Sequence, residues 1–268
     1  MKISNKAKKS LGQNFLIDKN IIRKIVNIPT IHEKKIIMEI GAGYGSLSEE
    51  IILLKPKKFI AVEKDKKLAL HLETKFQKYI NIKIINEDIL NIISDKKLGE
   101  NVIIFGNLPY NISTKILSSL IMLDEWPPWY EELIFMFQKE VADRIIAKPK
   151  TKEFSRLTVL SNWRLEIKKH FNVSKNSFSP KPKISSTLLS FKPKKNNLFK
   201  FKNPKNLEKV TRILFANRRK MINKNLKKLF GKRISLIKNL NLNQNLRPEE
   251  LSNEIYYKIT KEYEKLSN

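Results

Sequence analysis

Apolar and polar positions fall in alternating blocks through the first two thirds of the chain. Five short segments are apolar almost throughout: KIIMEI (35–40), KFIAVE (58–63), IKIIN (82–86), NVIIF (101–105) and ELIFMF (132–137). Runs of this length, rich in Ile, Val and Phe, read as buried strands. Helical spacing lies between them, over about 45–54, 65–78 and 112–123, and an earlier helix is expected near 18–28. Such alternation predicts an α/β fold with a doubly wound parallel sheet. Two later segments, RLEIKKHFNV (164–173) and ISSTLLSFK (184–192), bring the strands to seven. A loop with Pro180 and Pro182, and no helix, joins this last pair, which predicts an antiparallel hairpin closing the sheet edge.

After Phe191 the texture changes. KPKKNNLFKFKNPKN reads as a charged linker without structure, and LEKVTRILFANRRKMINKNLKKLF (207–230) then has helical spacing. Pro248 marks a further helix start. The expected division is an α/β domain over 1–192 and a small all-helical domain over 193–268. No internal repeat interrupts this plan.

Charge sharpens the picture. The 268 residues include 54 basic and 26 acidic side chains, a formal net charge of +28. A surplus of that size favours a polyanion, either nucleic acid or an anionic membrane. Lys far outnumbers Arg, and Asn and Ile are abundant, as a compositionally biased genome would also produce. The charge therefore supports nucleic acid without establishing it. No segment reaches the apolar length that spans a bilayer, and MKISNKAKKSLGQNF lacks the apolar core of a signal peptide, so a cytoplasmic protein is expected. There is no cysteine, and His32, His71 and His170 are scattered, so no metal centre is expected.

Candidate chemistry sits where strands end, the place where open α/β sheets bind ligands. The first strand runs into EIGAGYG, with Gly41, Gly43 and Gly45 at alternate positions. Glycine there permits a tight strand-to-helix turn and close approach of a ligand. The spacing is not the G-x-G-x-x-G of dinucleotide enzymes. Glu63 ends the second strand, 22 positions after Gly41, where a carboxylate can accept from both hydroxyls of a ribose. Asp88 follows the third and can accept from an adenine amino group, or simply cap a helix. A plain turn, a solvated charge and an N-cap would explain each alone; their order along one sheet edge favours a nucleotide pocket. After the fourth strand comes FGNLPYNIS (105–113), an amide, an apolar residue, a proline and an aromatic ring in succession.

These segments, with KSLGQNFL (9–16), AVEKD (61–65), EDIL (87–90), NLPYNIST (107–114), QKEVADRI (138–145), FSPKPKISS (178–186) and RRKMINKNLKKLF (218–230), resemble the ribosomal RNA adenine dimethylase family, specifically its small-subunit KsgA type. The motifs run in family order over nearly the whole chain. The resemblance implies a Rossmann-like class I methyltransferase sheet and S-adenosylmethionine as cofactor. It further implies N6,N6-dimethylation of adenines in small-subunit (16S) ribosomal RNA during ribosome biogenesis, on an immature small subunit, by a protein expected as a monomer. Carried onto this chain, Asn14 and Leu16 would contact the methionine part of the cofactor, Gly41 its backbone-facing side, Glu63 the ribose and Asp88 the adenine, with Asn107 reaching cofactor and substrate alike. The chain departs from the family pattern at Ser155, commonly Gly, and at Ser174, commonly Pro.

The tetrapeptide then has a chemical logic. The lone pair of adenine N6 is delocalised into the ring and must be turned towards the methyl carbon. The Asn107 side-chain oxygen and a carbonyl around Leu108 and Pro109 can accept from the two N–H groups, and Pro109 brings a fixed φ and no competing N–H. Tyr110 offers a face for the base to stack on. Phe178 would supply the second face for a flipped adenine, or else pack its loop into the core. In the C-terminal part, Arg218, Arg219 and Lys220 at a helix start, with Lys224, Lys227 and Lys228 beyond, would contact RNA. Three alternatives remain open: a large-subunit RNA dimethylase, a DNA adenine methylase, and a non-catalytic ribosome-assembly factor of the same fold. The basic C-terminal part and FSPKPKISS favour the small subunit. The single proline of the tetrapeptide disfavours DNA, and the intact Glu63, Asp88 and tetrapeptide favour an enzyme.

Overall fold

The computed structural model describes residues 13–95, 98–196, 198–240 and 242–267. A two-residue strand β1 (Phe15–Leu16) and helix α1 (Lys19–Val26) lead into strand–helix repeats. These are β2 (Ile36–Ile40), α2 (Ser46–Leu53), β3 (Lys58–Val62), α3 (Lys66–Phe76), β4 (Ile82–Ile85), the single turn α4 (Ile89–Ile92), β5 (Val102–Gly106), α5 (Ser113–Ile121) and β6 (Tyr130–Gln138). There follow α6 (Lys139–Ile145), α7 (Arg156–Arg164), β7 (Leu165–Val173), the short β8 (Phe178–Ser179), β9 (Ser186–Pro193), α8 (Pro204–Leu214), α9 (Asn223–Phe230) and α10 (Asn253–Glu264).

Seven strands form one sheet in the order β4-β3-β2-β5-β6-β9-β7. β2 to β6 pair in parallel, and β9 runs antiparallel to β6, from Leu133 opposite Phe191 to Gln138 opposite Ser186. The late strands thus close the sheet edge as the pattern predicts. The central strands are buried on both faces: Ile37, Met38, Ile60, Ile104 and Phe105 are all at or near zero exposure, which is why their sequences run apolar instead of alternating. Right-handed crossovers send α2 and α3 to one face while the order runs β2-β3-β4, and α5 to the other once it reverses through β5 and β6. The reversal leaves a crevice beyond the ends of β2 and β5. Separately, β1 pairs with β8, Leu16 opposite Phe178.

The chain divides into two compact units. One takes in the chain up to Ser119 with Pro128–Ala142 and Lys168–Pro193; the other comprises Leu120–Pro127, Asp143–Ile167 and everything from Lys194. The sequence division at 192/193 falls one residue from the last of these boundaries, but two earlier stretches, one of them carrying α7, group with the helical unit. α7 escapes a reading by periodicity because it is buried nearly all round, at Thr158, Val159, Leu160, Ser161, Trp163 and Arg164, and so has no apolar stripe. The segment read as an unstructured linker ends β9 and begins α8; the described residues between them have no regular structure, yet they are packed. The Phe199 carbonyl accepts from Trp163 Nε1 at 2.7 Å, the Phe201 ring lies 4.9 Å from that of Trp163, and Phe199 packs on Tyr257 at 5.2 Å.

The long helical reading of 207–230 is also corrected. A 3-10 turn (Phe215–Asn217) and a bend separate α8 from α9, and the Asn225 side chain bridges back to the Leu214 carbonyl at 3.0 Å. Pro248 opens a one-turn 3-10 helix, and α10 starts after Ser252, whose hydroxyl accepts from Ile255 N. Both serines that depart from the family pattern sit at helix starts. Ser155 precedes α7 and its amide donates to Thr158 Oγ1 at 3.0 Å; Ser174 Oγ accepts from Asn176 N at 3.2 Å.

Arg164 is the buried anchor of the helical unit. Its guanidinium donates to the carbonyls of Ile121 (2.8 Å) and Leu123 (2.7 Å), between the rings of Trp163 and Trp126 at 4.0 and 4.6 Å. Arg164→Met keeps the length but strands one buried and one part-buried carbonyl and removes a desolvated cation–π contact, so a loss of about 2–4 kcal/mol is expected. Urea unfolding followed by far-UV circular dichroism checks it, as a lowered midpoint.

Candidate active site

A cavity of about 210 Å³ lies at the crevice beyond β2 and β5. Its wall draws on the segments expected to hold the cofactor and on the tetrapeptide: Asn14 and Phe15, Gly41 and Gly43, Glu63 and Lys64, Asp88, and the whole of Asn107 to Tyr110. Two glycines show why their side of the wall is bare. Gly41 has φ +72 and would point a Cβ across open space towards Pro109, 4.0 Å away; Gly43 has φ +59 and would drive one into the Phe15 ring at 2.9 Å.

Glu63 is 7% exposed, and backbone amides hold its carboxylate: Gly43 N donates to Oε2 at 2.9 Å and Asp65 N to Oε1 at 2.8 Å. Burial pushes its pKa up, and the two amide bonds partly offset this. Each oxygen keeps a second lone pair, so a diol can still be held. Asp88 serves as the cap of α4, with Oδ1 accepting from Leu90 N at 3.0 Å, and Oδ2 pairs with Lys64 Nζ at 2.9 Å. The Lys64 ammonium, with that cap bond, holds the Asp88 carboxyl below its ordinary range. The capping and pocket readings of Asp88 are therefore compatible.

The tetrapeptide directly follows β5. Asn107 Nδ2 donates to the Asn14 carbonyl at 2.9 Å, which turns Oδ1 to the opposite side of the amide. The Pro109 carbonyl is already used, accepting from Ile112 N (3.1 Å) and Ser113 N (3.0 Å) at the start of α5. Of the two carbonyls considered from sequence, Leu108 is thus the one not engaged in starting that helix. The Leu108 side chain is buried, and Tyr110 is half-buried with its hydroxyl 2.8 Å from Ser186 Oγ.

Two expected residues are placed elsewhere. Leu16 is 4% exposed and joins the core, so only its main chain can serve a ligand. Phe178 is 3% exposed, packs in the same core cluster and does not line the cavity. The second-face role is therefore not assembled in this structure, and packing of the loop into the core describes Phe178. In the helical unit, Arg218 to Lys220 occupy the bend before α9 and not a helix start. Arg218 donates to the carbonyls of Lys152 and Phe154, both at 2.8 Å, which makes it a brace; Arg219 and Lys220 are exposed.

Sequence reasoning passed over three residues here. Phe15 lines the cavity and meets Tyr44 edge-on at 4.6 Å. Lys64 was hidden by its neighbour Glu63, although a cation beside two acids was a usable signal. Glu39, the acid of EIGAGYG, is 2% exposed in β2 and accepts from the Ser48 hydroxyl of α2. Among the described residues no cluster of acids and histidines suits a metal, and no helix is long and apolar enough to cross a membrane.

A sheet of this order with its antiparallel insertion, and an acid-lined cavity ending in Asn-Leu-Pro-Tyr, define a class I methyltransferase. Comparison with known proteins narrows the class. The family model "Ribosomal RNA adenine dimethylase" matches residues 4–265, and the chain belongs to that family. It is 50% identical over 265 residues to "Ribosomal RNA small subunit methyltransferase A" of Pelagibacter ubique, covering 97% of this chain and 98% of that one. A protein of the same name from a Sulfurihydrogenibium species is 40% identical over 260 residues, covering 95% of each. Among solved structures, a dimethyladenosine transferase from Plasmodium falciparum superposes with a TM-score of 0.79 at 23% identity, covering 94% of this chain and 98% of that one. The 23S rRNA methyltransferase ErmE gives 0.68 at 21% identity, covering 92% and 98%. These two confirm the fold.

Glu39, which does not line the cavity, gives the fold a pH signature. Burial, opposed by the Ser48 bond, raises its pKa to about 8. The folded state then holds a proton that the unfolded chain releases near its ordinary value of 4.5, so this residue's contribution to stability falls as pH rises from about 4.5 to about 8 and is flat above. Glu39→Gln keeps an acceptor for Ser48 and cannot ionise. Its stability relative to the parent should increase between pH 5 and pH 8, checked by denaturant titrations at both.

Proposed function

We propose that the protein transfers two methyl groups from S-adenosylmethionine to N6 of adenines in small-subunit ribosomal RNA, in the cytoplasm, while the subunit is being assembled. The observation that carries the reading is the fixed amide of Asn107. With its nitrogen committed to Asn14, it offers an oxygen on the cavity edge that also bears Glu63 and Asp88. The identity of 50% and 40% to small-subunit methyltransferases, over 95% or more of each chain, supports the small subunit over the large.

The pocket suits the cofactor. Glu63 would hold the ribose hydroxyls, Asp88 the adenine amino group once Lys64 swings aside, and Gly41 with the main chain of Asn14 and Leu16 the methionine part. Bound there, S-adenosylmethionine supplies a strongly electrophilic methyl carbon. Asn107 Oδ1 and the Leu108 carbonyl accept from the two N6 hydrogens and so direct the nitrogen lone pair. The Tyr110 ring stacks under the base, worth about 1–3 kcal/mol per base in single-strand binders. No ionised base is required, because the amine proton is easily lost once nitrogen carries the new bond. The chain contributes alignment and exclusion of water, a source of about 7–11 kcal/mol of barrier lowering in well-oriented systems. Neither acceptor is changed by the first methyl, so rotation about C6–N6 presents the remaining hydrogen for the second. Arg219 and Lys220, exposed in a chain of charge +28, are suited to phosphate contacts.

Incubation with labelled S-adenosylmethionine and immature small subunits, large subunits or naked RNA tests the reading. Label should enter small-subunit RNA as N6,N6-dimethyladenine, and label confined to large subunits would overturn the assignment. Asn107→Ala should slow single-turnover transfer at saturating cofactor by about 100-fold or more. RNA affinity should fall steeply with salt, as counterion release demands, and a filter-binding series from low to physiological salt reads the slope.

A further inference from the structure

The hydroxyl of Tyr110 has no part in stacking, since any flat aromatic ring would serve. It is nonetheless engaged, 2.8 Å from Ser186 Oγ. Ser186 has no solvent exposure and is the first residue of β9, in register opposite Gln138 of β6. The residue before it is fixed too, because Lys139 N donates to the Ser185 carbonyl at 3.0 Å. The serine is thus a rigid post in the sheet, and the tyrosine is a half-buried ring that otherwise turns about its two side-chain bonds. Burial raises the pKa of Tyr110, so the phenol keeps its proton and the bond persists across neutral pH.

We infer that Ser186 is a positioning residue for methyl transfer, holding the Tyr110 ring at the angle at which it receives the target adenine. Ser186 touches neither cofactor nor base; it acts through the tyrosine hydroxyl. The same bond ties the substrate-side segment to the platform. That segment, Phe178 to Ser186, is fixed at its other end by the pairing of Phe178 with Leu16, beside the cavity. Between these two ties lie exposed Pro180, Lys181, Lys183 and Ile184, a basic stretch whose ends are both held by groups adjoining the pocket. The assignment rests on the adenine methyltransferase reading above.

The test compares the full-length parent with Ser186→Ala, Tyr110→Phe and the double variant, on immature small subunits with labelled S-adenosylmethionine. Each single variant should lower kcat about five- to tenfold, the effect of one lost hydrogen bond on alignment, with cofactor affinity by calorimetry unchanged. Because both changes delete one interaction, the double variant should be no slower than either single one. Parental kcat in both single variants, or losses that multiply in the double, would overturn the inference. If Ser186→Ala does not fold, Tyr110→Phe decides alone, since it removes the same bond from the cavity side without altering the buried post. Failure of the parent itself to transfer label would count against the methyltransferase reading, and so is distinguishable from failure of this assignment.

Discussion

The reversal of strand order between β2 and β5 is the constraint on which the site depends. Two neighbouring parallel strands send their following segments to opposite faces, and nothing in the sheet closes the gap between them. Gly41 leaves one strand and Asn107 the other, so the nucleotide-side and reaction-side walls face each other. Glu63 and Asp88 join them from β3 and β4, each displaced outward by one strand. Both sides use glycine: Gly41 and Gly43 where backbone comes near a ligand or a ring, and Gly106 before Asn107, where a Cβ would lie 2.6 Å from the Leu108 side chain.

The pocket also shows what burial of carboxyls costs and what offsets it. Glu63 sits in an apolar wall, and two backbone amides replace the water it has lost. Glu39, on the neighbouring strand β2, has a single serine partner, and burial raises its pKa to about 8. Acids at the ends of strands keep access to the crevice and remain useful as acceptors. An acid within a strand serves instead as a tie between sheet and helix, here between β2 and α2.

Much of this was legible in the sequence, because the physics involved is local. Doubly buried parallel strands announce themselves as unbroken apolar runs, and the seven strands and first four longer helices fall within a few residues of their expected limits. Strand ends then locate Gly41, Glu63, Asp88 and Asn107 without further information. What was illegible depends on partners distant in sequence. α7 is surrounded by protein and so has no polar face to set a period. A two-residue strand such as β1 exists only because Phe178 and Ser179 lie opposite. The lysine-rich stretch after β9 reads as solvent-loving, yet Phe199 and Phe201 pin it to Trp163 and Tyr257. Phe178 gave an ambiguous signal for the same reason: an aromatic residue in a proline-rich loop can face a ligand or the interior, and only the fold decides.

The chain passes from one compact unit to the other five times, at residues near 119, 127, 142, 167 and 193. The helical unit is therefore not a C-terminal appendage that can be detached. Ending the polypeptide at the close of β9 would leave Trp163 without the Phe199 carbonyl and Phe201 ring, and the Val159 carbonyl without the Tyr257 hydroxyl. Such a fragment would display an aromatic surface to water and invite aggregation. During synthesis, Trp163 and the Val159 carbonyl emerge well before Phe199, Phe201 and Tyr257, so the stretch around α7 completes its packing only once these later residues are translated.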